Sequence, residues 1–317
     1  MSTLAPYDAL SPDCVLDAVE GAGFATDGRL LALASYENRV YQVGIDGGSP
    51  LVAKFYRPSR WSDAAIAEEH ALAFELAAAE LPMVAPLAVQ GRSLFEHAGY
   101  RYALYPRRGG RAPELESVDH LQWMGRLLAR MHGIGARARF RERGAIDTDA
   151  FIRDAARAVL ASGLLPPRLE DAYRARTRAI AQAIDARLVA LAPVQSIRLH
   201  GDCHAGNVLW TDVGPHFVDL DDARMGPAIQ DLWMLAPSQP ALDALLEGYG
   251  EFRDFDWREL QLLEPLRLMR QVHWAGWVAA RWHDPAFPRA FAHVGEARWW
   301  EAHLNDLAEA QALLEAG

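Results

Sequence analysis

Residues 199–233, LHGDCHAGNVLWTDVGPHFVDLDDARMGPAIQDLW, set Asp202 five residues before Asn207, and Asp219 twelve residues after Asn207. Asp202 and Asn207 share one short loop, so both can face the same metal and phosphate with no helix between them. Asp219 follows His216-Phe217-Val218, a short apolar strand that would bring its carboxylate out of the core and back toward that loop. Ser196 to His200 reads as the strand entering it. Acid, amide and acid in this order suit phosphoryl transfer: one carboxylate orients a hydroxyl, while the amide and the second carboxylate hold magnesium. The expectation is an ATP-dependent kinase. Asp, Asn and Gly are also turn formers, but turn formation does not account for His200, Asp202, Asn207 and Asp219 together.

His200, Cys203 and His204 are also zinc-ligand types. Structural zinc sites pair closely spaced ligands twice, and no second Cys-Cys or Cys-His pair occurs in the chain. His200 therefore reads as a buried histidine that braces the loop through its ring nitrogens, and Cys203 as a small apolar residue. His204 reaches phosphate or merely shapes the loop.

Upstream, residues from about 17 to 105 read mainly as strands with one long helix, and helices dominate beyond them. Leu30 to Leu33 and Arg39 to Val43 flank the polar turn Ser35-Tyr36-Glu37-Asn38, and Asp46-Gly47-Gly48 turns into Leu51-Val52-Ala53-Lys54-Phe55. Lys54 lies in an apolar strand, where a buried ammonium is costly unless paired. Its partner should be an acid on the following helix, which Ser62-Asp63 can cap and Pro82 stops. Ser93 to Glu96 and Tyr100 to Tyr105 form a further hairpin about His97-Ala98-Gly99. Apolar residues at helical spacing follow from Val118 to Gly133 and mark core, as do most of the C-terminal tryptophans. Arg267, Arg270 and Arg281 are expected to pair with acids such as Glu259 and Glu264 rather than to hold an anion.

A chain of 317 residues with 51% hydrophobic content can bury a large core. The formal net charge of −10 argues against general nucleic-acid affinity. Cys14 and Cys203 are far apart, and MSTLAPYDAL lacks the basic flank and apolar core of a secretion signal, so a reducing cytoplasm is the expected compartment. No apolar run reaches the length of a membrane span, so no membrane partner is expected.

HGDCHAGN, VDLDDAR and GPAIQDLWML together resemble the aminoglycoside phosphotransferase family of protein-kinase-like enzymes. SYENRVYQV, VAKFYRPSRWSDAAIAEEH and EPLRLMRQVHWAGWVAARWHDPAFP narrow the resemblance to the bacterial stress response kinase A group, serine/threonine protein kinases. The resemblance covers nearly the whole chain. It implies an α+β, protein-kinase-like two-lobed fold, with a small, mostly antiparallel β N-lobe carrying one helix and a larger, mainly helical C-lobe. Residues 1–106 would be the nucleotide lobe and hinge, and 107–317 the catalytic and acceptor lobe.

The same resemblance assigns roles. Asp202 accepts or orients the acceptor's proton, and Asn207 and Asp219 bind Mg2+ bridging the ATP phosphates. Lys54 faces those phosphates, held by Glu69 or, failing that, Glu68. Ser35 stands beside the nucleotide in a turn that lacks the G-x-G-x-x-G of protein kinases. Residues Tyr102 to Pro106, Leu104 among them, form a hinge whose backbone binds adenine while apolar side chains sandwich it. From the residues alone, an edge strand at a domain boundary reads equally well. His132 packs near the catalytic loop, and Asp231 supports that loop's backbone. Asp221 or Asp222 adds a second metal contact or is a solvated acidic turn.

The acceptor is the open point. The resemblance implies serine or threonine on protein, including autophosphorylation. A small hydroxyl compound, such as an amino alcohol, a sugar or an antibiotic, is the enzyme alternative. A nucleotide-binding pseudokinase is the non-enzyme one. Asp219 leads directly into Gly226-Pro227 and Asp231, which leaves little room for a long activation loop. A monomer is expected.

Overall fold

Five strands between Thr26 and Pro106 build an antiparallel sheet in the spatial order Thr26–Leu33, Arg39–Ile45, Leu51–Phe55, Tyr100–Pro106 and Phe95–His97. The structure is a computed structural model that describes residues 6–316. Residues 1–5, part of the N-terminal stretch read for a secretion signal, and Gly317 lie outside the described residues. In chain order the elements are α1 (Pro12–Gly21), β1 (Thr26–Leu33), β2 (Arg39–Ile45), β3 (Leu51–Phe55), α2 (Asp63–Ala78), β4 (Phe95–His97), β5 (Tyr100–Pro106) and α3 (Val118–Gly135). Then come α4 (Ala155–Ser162), α5 (Glu170–Leu191), β6 (Ile197–Arg198), β7 (Val208–Thr211), β8 (Gly214–Phe217), β9 (Met225–Gly226) and α6 (Ile229–Trp233). The last are α7 (Gln239–Gly250), α8 (Leu263–Ala280), α9 (Ala286–Ala290) and α10 (Ala297–Ala316).

Local chemistry sets the boundaries. Ser62 caps α2 by accepting the Ala65 amide at 3.1 Å, which satisfies one of the helix's orphan donors. The β4–β5 turn places Ala98 and Gly99 at φ 49° and 80°, the positive values that a two-residue hairpin of matching twist requires. The expected entering strand over Ser196 to His200 shortens to Ile197–Arg198, because the backbone then turns into the loop.

The chain packs into two compact units. One comprises residues 1–144, 197–225 and 231–255, the other 145–196, 226–230 and 256–317. This division follows different lines from the lobes expected to meet at residue 106.

In the first unit, one sheet face is closed by α1. Val15, Ala18 and Val19 pack there with Val43, Ala53, Phe55, Tyr102 and Leu104. Phe55 stacks on Tyr102 with ring centroids 5.2 Å apart, and the Tyr102 hydroxyl donates to the Ala18 carbonyl. Elsewhere in this unit, α3 crosses α7 at glycines. A Cβ on Gly125 would sit 2.1 Å from the Leu245 carbonyl oxygen, and one on Gly248 would sit 2.1 Å from that of Gln122. That close approach brings Tyr249 to His132, whose Nδ1 lies 3.1 Å from the tyrosine hydroxyl.

The second unit is helical and aromatic. Trp300 is fully buried, its indole N–H donating to Val294 O at 2.9 Å, and Trp299 stacks on His303 at 4.9 Å. Trp277 packs edge-on to Phe287 at 4.8 Å. Trp257 is the exception to the core reading, at 66% exposure. Arg267 pairs with Glu264 at 2.7 Å, while Glu259 accepts the Ile229 amide at 2.9 Å. Among the described residues no helix is long and apolar enough to cross a membrane.

Candidate active site

The loop from Leu199 to Asn207 depends on one buried carboxylate. Asp231 is fully buried, and its two oxygens accept the amides of His200 and Gly201, each at 2.9 Å. His132 Nε2 reaches the same carboxylate at 3.1 Å. Gly201 has φ +84°, and a Cβ there would lie 2.1 Å from the Asp222 carbonyl oxygen, so only glycine fits. His200 Nε2 donates to Val218 O at 2.9 Å, which ties the loop to the residue before Asp219. Its Nδ1 has no hydrogen-bond partner among the described residues, so the brace seen there uses one ring nitrogen rather than both.

Within the loop, the Asn207 side-chain amide donates to Asp202 O at 2.9 Å. That bond fixes the amide's orientation and leaves Oδ1, the atom a cation takes, as its other polar group. The Asn207 carbonyl accepts the Val218 amide at 3.0 Å, which sets Asn207 beside the strand end that carries Asp219. His204 Nδ1 accepts the Gly206 amide at 2.9 Å. The ring proton must then sit on Nε2, which faces Asp202 Oδ2 at 3.4 Å. His204 thus shapes the loop and meets the acid itself. Cys203 is fully buried, and burial pushes its thiol well above its ordinary value.

Lys54 is the centre of the charge arrangement. Its ammonium lies 3.1 Å from Glu69 Oε1, 2.9 Å from Asp219 Oδ1 and 3.2 Å from Asp221 Oδ1. Burial alone would pull the lysine down, but Asp219, Asp221 and Glu69 outweigh it and hold Lys54 well above its ordinary value. Asp219 has φ +65°, an uncommon conformation for a residue with a side chain, and its carboxylate is 45% exposed. Asp221 is buried. Burial would lift it, but Arg60 and Lys54 prevail and hold it below its ordinary value. Asp222 pairs with Arg60 at 2.6 Å. Of the two candidate acids on α2, Glu69 meets Lys54. Glu68 instead accepts the amides of Arg141, Glu142 and Arg143 at 2.7, 3.0 and 3.1 Å.

Strand register separates the expected adenine contacts. Leu33, Val40, Lys54 and Ala103 are directly paired across β1, β2, β3 and β5, as are Leu31, Gln42, Val52 and Tyr105. Side chains of directly paired residues share a face, so both rows lie on the lysine face. Leu31 and Leu33 are 59% and 36% exposed there, in a strand otherwise rich in apolar residues. Tyr102 and Leu104 point into the α1 core on the opposite face, so their side chains are not brought to Lys54. The Leu104 carbonyl accepts the Leu87 amide at 2.7 Å. Parity makes this separation: residues an even number of positions from Lys54 along its strand share its face. Ser35 lies half-buried in the turn between β1 and β2, and makes no side-chain hydrogen bond among the described residues. The turn is held instead by Asn38, which accepts the Arg57 amide at 3.0 Å, and by Glu37, which pairs with Arg57 at 3.1 Å.

The donor set suits a hard divalent cation. Asp219 and Asn207 offer a carboxylate and an amide oxygen, the ligands magnesium takes alongside phosphate oxygens. A lysine ammonium already lies against Asp219, so the position favours positive charge. Among the described residues no group of three or more His, Cys, Asp or Glu converges as a metal cluster.

Residues 29–263 match the phosphotransferase enzyme family. The chain is 41% identical to stress response kinase A of Escherichia coli strain K12, across 98% of this chain and 95% of that protein. It is 40% identical to serine/threonine protein kinase RdoA of Salmonella typhimurium, across 97% and 94%. Among solved structures, the amicoumacin kinase hAmiN in complex with AMP-PNP and Ca2+ aligns with a TM-score of 0.70 at 16% identity, covering 94% of this chain and 93% of that one. A microcompartment-associated aminopropanol kinase aligns equally well at 17% identity, covering 94% and 98%.

Proposed function

The chain belongs to the phosphotransferase enzyme family, and on that premise we propose that it is a serine/threonine protein kinase that also phosphorylates itself. Its α+β fold is that of the protein-kinase-like enzymes, which use ATP with a divalent metal. The finer reading takes that metal as magnesium. It takes residues 1–106 as the nucleotide lobe, residues 107–317 as the catalytic and acceptor lobe, and the working protein as a cytoplasmic monomer.

The observation that carries the reading is a chain of contacts that runs from Asp202 through Asn207 to Asp219 and on to Lys54. Asn207 is hydrogen-bonded to the backbone of Asp202, its carbonyl holds the residue before Asp219, and Asp219 lies 2.9 Å from Lys54. Asp202 orients the acceptor hydroxyl and takes its proton as the oxygen attacks the γ-phosphorus, while the bond from that phosphorus to the β–γ bridging oxygen breaks and ADP leaves. His204 Nε2–H, facing Asp202, keeps that carboxylate in one rotamer. Lys54, fixed by Glu69, meets the negative charge of the phosphates. Magnesium, held by Asn207 and Asp219 when bound, supplies charge neutralisation. Leu31, Leu33, Val40 and Val52 cover the base on the lysine face, and Ser35 lies near the phosphates. Little covalent chemistry is asked of the protein, so rate comes from positioning and fixed charge.

Protein as the acceptor is supported by the near full-length identity to stress response kinases. A small hydroxyl compound is the second reading, favoured by the short path from Asp219 to Asp231, only eleven residues of which lie between them. Incubation with γ-labelled ATP and magnesium, alone and with a generic basic protein, separates the two. Label on protein, absent with Asp202→Ala, supports the kinase reading. Tight magnesium-ATP binding without protein labelling would transfer the assignment to a small acceptor.

A further inference from the structure

Residues 138–144 form neither helix nor strand, yet they carry a dense set of polar contacts in the first unit. Arg143 is 2% exposed. Its Nε donates to Ala223 O at 2.9 Å, its Nη1 to Ala65 O at 3.2 Å and to Glu69 Oε2 at 3.3 Å, and its Nη2 to Asp221 O. One guanidinium therefore grips α2 on one side and the loop after Asp219 on the other. The grip is reciprocal, since Glu68 of α2 accepts three successive amides of residues 141–143. The Arg143 guanidinium also lies over the Trp61 ring, 4.3 Å from its centroid, and the Gly144 carbonyl accepts the Met225 amide at 3.0 Å.

We propose that Arg143, seated by Glu68, is the positioning residue that keeps the Lys54–Glu69 pair and the Asp219–Asp222 loop in one register. The inference rests on the phosphoryl-transfer reading of the same site, and extends it to how the site is assembled. The guanidinium's planar fork is what allows it: one side chain makes four hydrogen bonds, to a carboxylate and to carbonyls of two elements, more than the three donors of a lysine supply. Glu69 has one oxygen on Lys54 and the other on Arg143. Without Arg143 that carboxylate would be held from one side only, and α2 would be free to withdraw it. The assembled state is thus built into a fixed strap, where a protein kinase of the switched type would need a modified activation loop.

The test is nucleotide affinity, by displacement of a fluorescent ATP analogue in the presence of magnesium, with KM and kcat for ATP alongside. Arg143→Met is expected to weaken nucleotide binding and raise KM by about tenfold or more, the loss typical when an outer partner of a site residue is removed. Glu68→Ala, which removes only the seat, should move the same quantities in the same direction by a smaller factor. It also serves if Arg143→Met does not fold. In a Lys54→Met background the Arg143→Met effect on affinity should largely disappear, because coupled residues are non-additive. Unchanged nucleotide affinity in Glu68→Ala, a fall in active fraction with KM unchanged, or full additivity with Lys54→Met would each overturn the inference. A parent protein that binds no nucleotide would instead overturn the kinase reading on which it stands.

Discussion

Lys54 Nζ stands 2.9 Å from Asp219 Oδ1, so the two side chains proposed to face the nucleotide and to hold the metal are in direct contact with one another. The ammonium serves as the resident cation for three carboxylates, Glu69, Asp219 and Asp221. Lys54→Met should abolish turnover and cost about 3–5 kcal/mol of stability, because it strands buried acids. Its folded state should gain more from added magnesium than the parent does. Thermal melts with and without magnesium check both statements.

The Asp231 carboxylate receives the His200 and Gly201 amides and His132. Asp231→Asn keeps the shape but replaces one accepting oxygen with a donor facing an N–H. A loss of about 2–4 kcal/mol in urea unfolding is expected, from a buried charged hydrogen-bond acceptor lost, with kcat falling as the loop loosens.

His70 gives a pH signature. Burial first, then Lys54 and Arg143, lower its pKa from 6.5 to about 3. The folded state therefore holds it neutral through bonds to Tyr56 and Ser93, each at 2.8 Å, while the unfolded chain binds a proton below pH 6.5. A depressed pKa contributes stability that is complete above the unfolded value and declines as pH falls toward the folded one. Between pH 6.5 and about 3, stability should fall by up to about 1.4 kcal/mol per unit from this group. His70→Gln should flatten that slope by one proton, as read from denaturant midpoints across the range. An unchanged slope would remove His70 from the acid limb.

The two sheet faces should respond differently to substitution. Leu33→Asp places a charge on the lysine face at an already exposed position. It should raise KM for ATP with little change in melting temperature. Leu104→Ala empties part of the opposite core. It should cost about 2–5 kcal/mol of stability and leave KM nearly unchanged.

The sequence was most legible where chemistry forces spacing. Asp202, Asn207 and Asp219 could be picked out because short loops must deliver all three, and Lys54 because an ammonium in an apolar strand needs partners. The adenine side rested on the family resemblance, which made the backbone of Tyr102 to Pro106 the hinge; what the residues alone did not reveal is that strand parity puts the Tyr102 and Leu104 side chains in the α1 core. Arg143 was invisible, since a strap without regular structure has no periodicity to betray which side chain turns inward. The compact units escaped for a related reason: they join chain segments far apart in sequence, which local pattern does not register.

The most direct measurement is single-turnover phosphoryl transfer by Asp202→Asn, with magnesium-ATP affinity determined on the same preparation. Asp202 lies outside the Lys54 cluster, so nucleotide affinity should stay close to that of the parent. Transfer should fall by about 10²- to 10⁴-fold, the usual contribution of a positioned base. Near-normal transfer with normal affinity would contradict the assignment of Asp202, and with it the mechanism built on the loop that carries it.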